Sequence, residues 1–118
     1  MACGTIVGIM AAPASDPRDA IETAEELMRS RFEAYRDGDV EWLLRSWHPS
    51  TRPRLFDLPE NLRWRQLQIV ETVAGGPEDD TGIVEFRASG IADGKPFVLR
   101  ERSNFVREGG RWFYVDGK

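Results

Sequence analysis

Leu99-Arg-Glu-Arg-Ser-Asn-Phe-Val-Arg-Glu-Gly-Gly-Arg-Trp-Phe-Tyr-Val-Asp-Gly117 reads as two strands joined by a tight turn. Gly109-Gly110 supplies the turn, since the favoured two-residue hairpin loops need positive φ at their centre. Side chains alternate along a strand, so one face of this hairpin is expected to hold Leu99, Glu101, Ser103, Phe105, Trp112, Tyr114 and Asp116. The other is expected to hold Val98, Arg100, Arg102, Asn104, Val106, Phe113 and Val115. The first face mixes large aromatics with two acids and a hydroxyl. Mostly apolar walls with a few converging polar groups are the composition of a ligand pocket. The assignment depends on register, because a slip of one residue exchanges the faces.

Upstream, Ala24-Glu-Glu-Leu-Met-Arg-Ser-Arg-Phe-Glu-Ala-Tyr-Arg-Asp-Gly-Asp39 follows the helical period at Ala24, Leu27, Met28, Phe32 and Tyr35. Two start signals precede it: Ser15-Asp16-Pro17, and Thr23 with Glu26 three residues on, as in a capping box. Gly38 is placed to end it. Asp39 then caps a second helix, with Val40, Leu43, Leu44 and Trp47 in one stripe and Pro49 as the stop. The period changes to two from Leu62. Strands are predicted over 62–73, 83–89, 97–107 and 111–116, with Asp93-Gly94 as a hairpin turn. Helices followed by antiparallel strands imply an α+β fold, the helices packed on a curved sheet.

Arg31 lies in the middle of the first helix's apolar face, so it points at the sheet. A buried guanidinium is costly unless a carboxylate meets it, and Glu101 or Asp116 is the expected partner. The same residues fit a purely structural ion pair, or an arginine whose stem carries its head back to water. His48, the single histidine, follows the second helix and has an ordinary pKa near neutrality. It reads as a general base or as a group that caps a helix end. The catalytic candidates are therefore His48, Glu101 and Asp116. The predicted pocket adds Arg31, Tyr35, Trp47, Trp64, Ser103, Phe105, Trp112 and Tyr114.

Composition bounds the rest. The chain has 118 residues, enough for one core and not two. Residues 1–14 are expected to be a flexible tail and 15–118 a single domain. A net charge of −4 with dispersed arginines argues against nucleic acid as a partner. One cysteine, Cys3, excludes an internal disulfide and a zinc site made of cysteines, so neither metal nor cofactor is expected. Glu78-Asp79-Asp80 lacks the full spacing of a calcium loop and reads as solvated. Ile6 to Ala12 is too short to span a membrane and has no basic start, so the expected location is the cytoplasm.

These blocks resemble the YchJ family of uncharacterised bacterial proteins. The residues that carry the resemblance are Leu27-Met-Arg-Ser-Arg-Phe32, Gly38-Asp39, Trp47-His-Pro-Ser50, Trp64, Gly82, Val84-Glu-Phe86, Glu101-Arg-Ser103, Phe105 and Trp112-Phe-Tyr-Val-Asp-Gly117. The resemblance implies a cystatin-like fold of the nuclear-transport-factor-2 (NTF2) type, in which a curved sheet and helices enclose a cone-shaped pocket. That superfamily includes isomerases, dehydratases, hydrolases and SnoaL-like polyketide cyclases, and also non-catalytic binding and dimerisation domains. Relatives usually add cysteine-rich zinc motifs of the SEC-C type, of which Cys3-Gly4 is the sole trace here, so the central domain alone is expected. Three functions follow as expectations: a small-ligand-binding domain; a cofactor-free lyase, isomerase or hydrolase; or an interaction module that forms a homodimer.

Overall fold

The computed structural model describes residues 16–118; the tail expected at 1–14 lies outside them. Both start signals are used. Asp16 caps a short 3-10 turn, Pro17–Ala20, by accepting from the Arg18 amide at 2.9 Å. Thr23 caps helix α1, Ala24–Asp37, by accepting from the Glu26 amide at 3.1 Å, and Gly38 ends it. Helix α2 spans Val40–Arg45, with Asp39 as its cap. It stops earlier than the apolar stripe suggested. Ser46 turns its hydroxyl onto the Trp42 carbonyl at 2.7 Å, and the chain leaves the helix there. No helix among the described residues is long and apolar enough to cross a membrane.

Four strands follow: β1 Leu62–Ala74, β2 Thr81–Ala92, β3 Lys95–Glu108 and β4 Arg111–Gly117. They form one antiparallel sheet in the order β1-β2-β3-β4. Asp93-Gly94 and Gly109-Gly110 make the two tight turns, all four residues at positive φ as a two-residue hairpin turn demands. Helix α1 lies across the sheet and buries Leu27, Met28 and Phe32 against Val84, Phe86, Ala88, Phe105 and Trp112. Each such side chain contributes about 1.5–3 kcal/mol through burial. The N-terminus of α1 is fixed to the β1–β2 turn by Ala24 N–H on the Gly75 carbonyl at 2.9 Å.

Three register shifts bend the sheet. In β1 they fall at Arg65 and Val70, and they keep Trp64, Leu67 and Ile69 on one face, opposite Gly90, Ala88 and Phe86. In β4 the shift falls at Val115: Phe105 faces Tyr114, but Asn104 faces Asp116. The extra residue is held by Thr51, whose hydroxyl donates to the Val115 carbonyl at 2.6 Å. This corrects the hairpin assignment at one position. Leu99 to Tyr114 sort as alternation predicts, but beyond the bulge Asp116 turns to the opposite face.

Candidate functional site

Between α1 and the sheet lies a cavity of about 180 Å³. Its walls are Met28, Phe32, Trp64, Phe86, Ala88 and Leu99. Its polar groups are Arg31 and Tyr35 from α1 together with Glu101, Ser103 and Tyr114 from the last hairpin. The helical period sets Met28, Arg31, Phe32 and Tyr35 on one side of α1, and the strand period sets Leu99, Glu101 and Ser103 on one face of β3.

Arg31 is 2% exposed. Its Nη1 donates to the Leu43 carbonyl at 2.8 Å and to the Ser46 hydroxyl at 2.7 Å. The guanidinium carbon lies 4.4 Å from the Tyr114 ring centroid and 5.1 Å from that of Trp47, both cation–π distances. The expected carboxylate partner is missing: none of the ion pairs among the described residues involves Arg31. Among the described residues its well-formed hydrogen bonds both leave from Nη1, while the Tyr35 phenol lies against the same guanidinium and helps to hold its charge. Burial brings the Arg31 pKa down to about 10, against the pull of the Tyr35 and Tyr114 phenols and of Glu101. It is therefore a cation at neutral pH. Burial in turn pushes the Tyr35 and Tyr114 phenols up, so both remain neutral donors.

Glu101 is held by one oxygen. Its Oε2 accepts from Ser103 Oγ at 2.9 Å and from Tyr114 Oη at 3.5 Å, the edge of hydrogen-bond range. Both bonds fall on Oε2, so Oε1 carries none among the described residues. Gly117 makes room for this carboxylate: a methyl group there would collide with Oε2 and lie 2.6 Å from Cδ.

Of the eleven residues expected in the pocket, six line it: Arg31, Tyr35, Trp64, Glu101, Ser103 and Tyr114. Three stand behind the lining. Trp47 packs edge-on against Tyr114 at 5.2 Å, Phe105 does so at 5.8 Å, and Trp112 donates from Nε1 to the Glu22 carbonyl at 2.9 Å. Two lie elsewhere. Asp116, carried outward by the bulge, is exposed and accepts from Asn104 Nδ2 at 2.7 Å. His48 stacks edge-on against Phe113, on the side of β4 turned away from the cavity, at 5.6 Å. Its Nδ1 is tied to Ser50 at 2.7 Å. Its Nε2 lies 3.0 Å from Glu108 Oε1, close enough to pair in charge but off the angle of a hydrogen bond. Neither geometry brings His48 to the groups around Arg31.

Sequence reasoning missed Ser46 and Gly117. Ser46 is fully buried, accepts from Arg31, and through its carbonyl receives the Tyr114 N–H at 2.8 Å. The signal was a serine beside an otherwise apolar helical stripe. Gly117 has no sequence signal of its own, because its role depends on the bulge.

A family model described as YchJ, middle NTF2-like domain, matches residues 23–117. A UPF0225 protein of Chromobacterium violaceum is 42% identical over 118 residues, covering 98% of this chain and 82% of that one. A UPF0225 protein of Streptomyces coelicolor is 48% identical over 99 residues, covering 84% and 77%. The solution structure of a SEC-C motif containing protein from Rhodopseudomonas palustris superposes with a TM-score of 0.72 at 30% identity, covering 82% of this chain and 78% of that one. The crystal structure of a SEC-C motif containing protein from Psychrobacter arcticus gives a TM-score of 0.65 at 24% identity, and there the match is to the fold alone, over 80% and 59% of the two chains. With its α+β fold and a family match over nearly all described residues, the chain belongs to the YchJ (UPF0225) family, and residues 23–117 are its middle, NTF2-like domain.

Proposed function

We propose that the domain binds a small molecule in a cone-shaped pocket between α1 and the sheet, with Arg31 and Glu101 as the groups that orient it. One observation carries this reading: Arg31 is buried and charged beside the cavity, no carboxylate is paired with it among the described residues, and its well-formed hydrogen bonds there leave from Nη1 alone, with the Tyr35 phenol next to the rest of the guanidinium. A buried charge is ordinarily satisfied within the protein, and donors left over beside a cavity call for an acceptor from outside it. The size of the cavity sets the scale. An engineered apolar cavity of roughly 150 Å³ holds benzene, so about 180 Å³ suits a single substituted ring.

Native mass spectrometry of the purified protein, compared with its denatured mass, tests the reading. The expected result is a mass excess lost on denaturation, or one restored by added fragments, and absent from Arg31→Met. Fragment binding undiminished in Arg31→Met would overturn it.

A second reading rests on Glu101. A carboxylate fixed by Ser103 and Tyr114 beside an apolar cavity is placed as a general base for a cofactor-free lyase, isomerase or hydrolase. Under it, Glu101→Gln abolishes turnover while ligand is still bound; turnover unaltered in Glu101→Gln removes the assignment.

A further inference from the structure

The ligand-binding reading leaves open which chemical class the cavity takes, and three properties of its polar groups narrow that class. The inference rests on that reading.

The first property is charge. Arg31 and Glu101 are the basic and the acidic side chain among the lining, one of each sign. No ion pair joins them, but Glu101 is close enough to favour the charged form of Arg31. The two charges offset each other across the cavity. An anion bound there would satisfy Arg31 and be repelled by Glu101, and a cation would do the reverse. Either would leave a net charge in a half-buried site, which is costly. A neutral ligand leaves the balance intact.

The second property is the inventory of free positions. Among the described residues, Arg31 has donors at Nε and Nη2 beyond its two well-formed bonds, with only the Tyr35 phenol beside them, and Glu101 has an acceptor at Oε1 without a partner. Tyr35 and Tyr114 are kept as neutral phenols beside them. The complement is a group that accepts from Arg31 and donates to Glu101. An amide edge does both, with its C=O and its N–H side by side.

The third property is the remainder of the lining. Phe32 and Trp64 meet edge-on at 6.3 Å, with Met28, Phe86, Ala88 and Leu99 around them. They offer apolar surface to a ring and no further hydrogen bonds to its far side, apart from those that Trp64 could give through its indole N–H.

We infer that the cavity between α1 and the sheet selects a small neutral amide, a primary amide or a lactam on a single apolar ring, with its carbonyl toward Arg31 and its N–H toward Glu101. Anions of the same size, which the arginine alone would favour, are discriminated against by Glu101.

The test is isothermal titration of the full chain with four probes of nearly equal size: benzamide, benzoate, benzylamine and toluene. Benzamide is expected to bind tightest, and benzoate and benzylamine at least about tenfold more weakly, each leaving one buried group unpaired. Toluene is expected to fall below benzamide by a similar factor. In Glu101→Gln the site becomes net positive while its shape is kept, so benzoate should gain at least about tenfold on benzamide. If benzoate, benzylamine or toluene matches benzamide in the parent, the cavity binds ligands but the amide assignment is overturned. The assignment also falls if Glu101→Gln leaves the ranking unchanged. If none of the four probes gives heat or moves the Met28 methyl resonance, the ligand-binding reading falls with it.

Discussion

A guanidinium shut away from water usually brings a carboxylate with it, and Arg31 does not. A carbonyl, a hydroxyl and two aromatic faces surround it, and the nearby Tyr35, Tyr114 and Glu101 favour its charge. Two consequences follow at the level of single residues. Removing both charges, in Arg31→Met with Glu101→Gln, should leave stability within about 1 kcal/mol of the parent, since buried charges rarely repay their desolvation. The double variant should melt close to the parent in a calorimeter while losing probe binding. Ser46→Ala, by contrast, strips Arg31 of an acceptor and the Trp42 carbonyl of a donor in a fully buried place. A loss of about 1–3 kcal/mol is expected in urea unfolding; a neutral outcome would mean that Ser46 does not position the arginine. Gly117→Ala separates site from scaffold in another way. The new methyl meets the end of a flexible side chain and not backbone, so Glu101 should swing aside at a cost of about 1 kcal/mol or less. Probe affinity, measured beside melting temperature, should fall while the melting temperature barely moves.

The elements show where local chemistry is enough and where it is not. Thr23, Asp39, Asp93-Gly94 and Gly109-Gly110 were legible because each cap or turn is decided by residues a few positions away. Thr23→Ala should therefore cost about 1 kcal/mol in thermal unfolding, since Thr23 is the side-chain cap of α1. The inward direction of Arg31 was legible from helical phase. Its partners were not, because they depend on where α2 ends, and that end is decided by Ser46 and by the pairing of Trp47 with Tyr114. The bulges were illegible for a related reason. Tyr114-Val115-Asp116 has nothing in its composition that forbids an even strand, and the hydroxyl that meets the extra residue comes from Thr51, 64 positions away in sequence. Asp116 was misplaced on that account, and Gly117, whose contact with Glu101 lies just beyond the bulge, went unseen. His48 was singled out by its type and its place after the second helix, and neither says which face of β4 a residue meets.

At the scale of the molecule, the N-terminal turn is joined to the rest by charge. Asp16 and Arg18 pair at 2.6 Å, Arg18 reaches Asp39 at 2.9 Å, and Asp19 accepts from both Arg45 and Arg111. The Arg18 side chain holds the Asp16 carboxyl at about 2, below its ordinary 3.8. A carboxyl depressed on folding contributes stability that is complete above about pH 4 and fades as pH falls toward 2. Asp16→Asn keeps an oxygen for the Arg18 amide and removes the charge. It should cost about 1 kcal/mol at pH 7, after allowing for the solvent that reaches Arg18. Parent and variant should converge in stability near pH 2; a difference that persists there would show that the cap, and not the ion pair, is at work.

The stretch after α2 has an effect beyond the cavity it supports. Tyr114 N–H donates to Ser46 and its carbonyl accepts from His48, both at 2.8 Å, so residues 46–48 lie along the outer side of β4 as a short parallel neighbour. At Tyr114 the outer side of β4 is therefore already paired. Among the described residues, no strand lies outside β1, bent twice and studded with Arg63, Arg65 and Glu71, or beside the first part of β3, which begins Lys95-Pro96. Bends, charges and proline are the means by which sheet borders are kept from templating one another. The same segment that fixes Arg31 in place thus also occupies backbone groups on the outer side of β4 that an incoming strand could otherwise use.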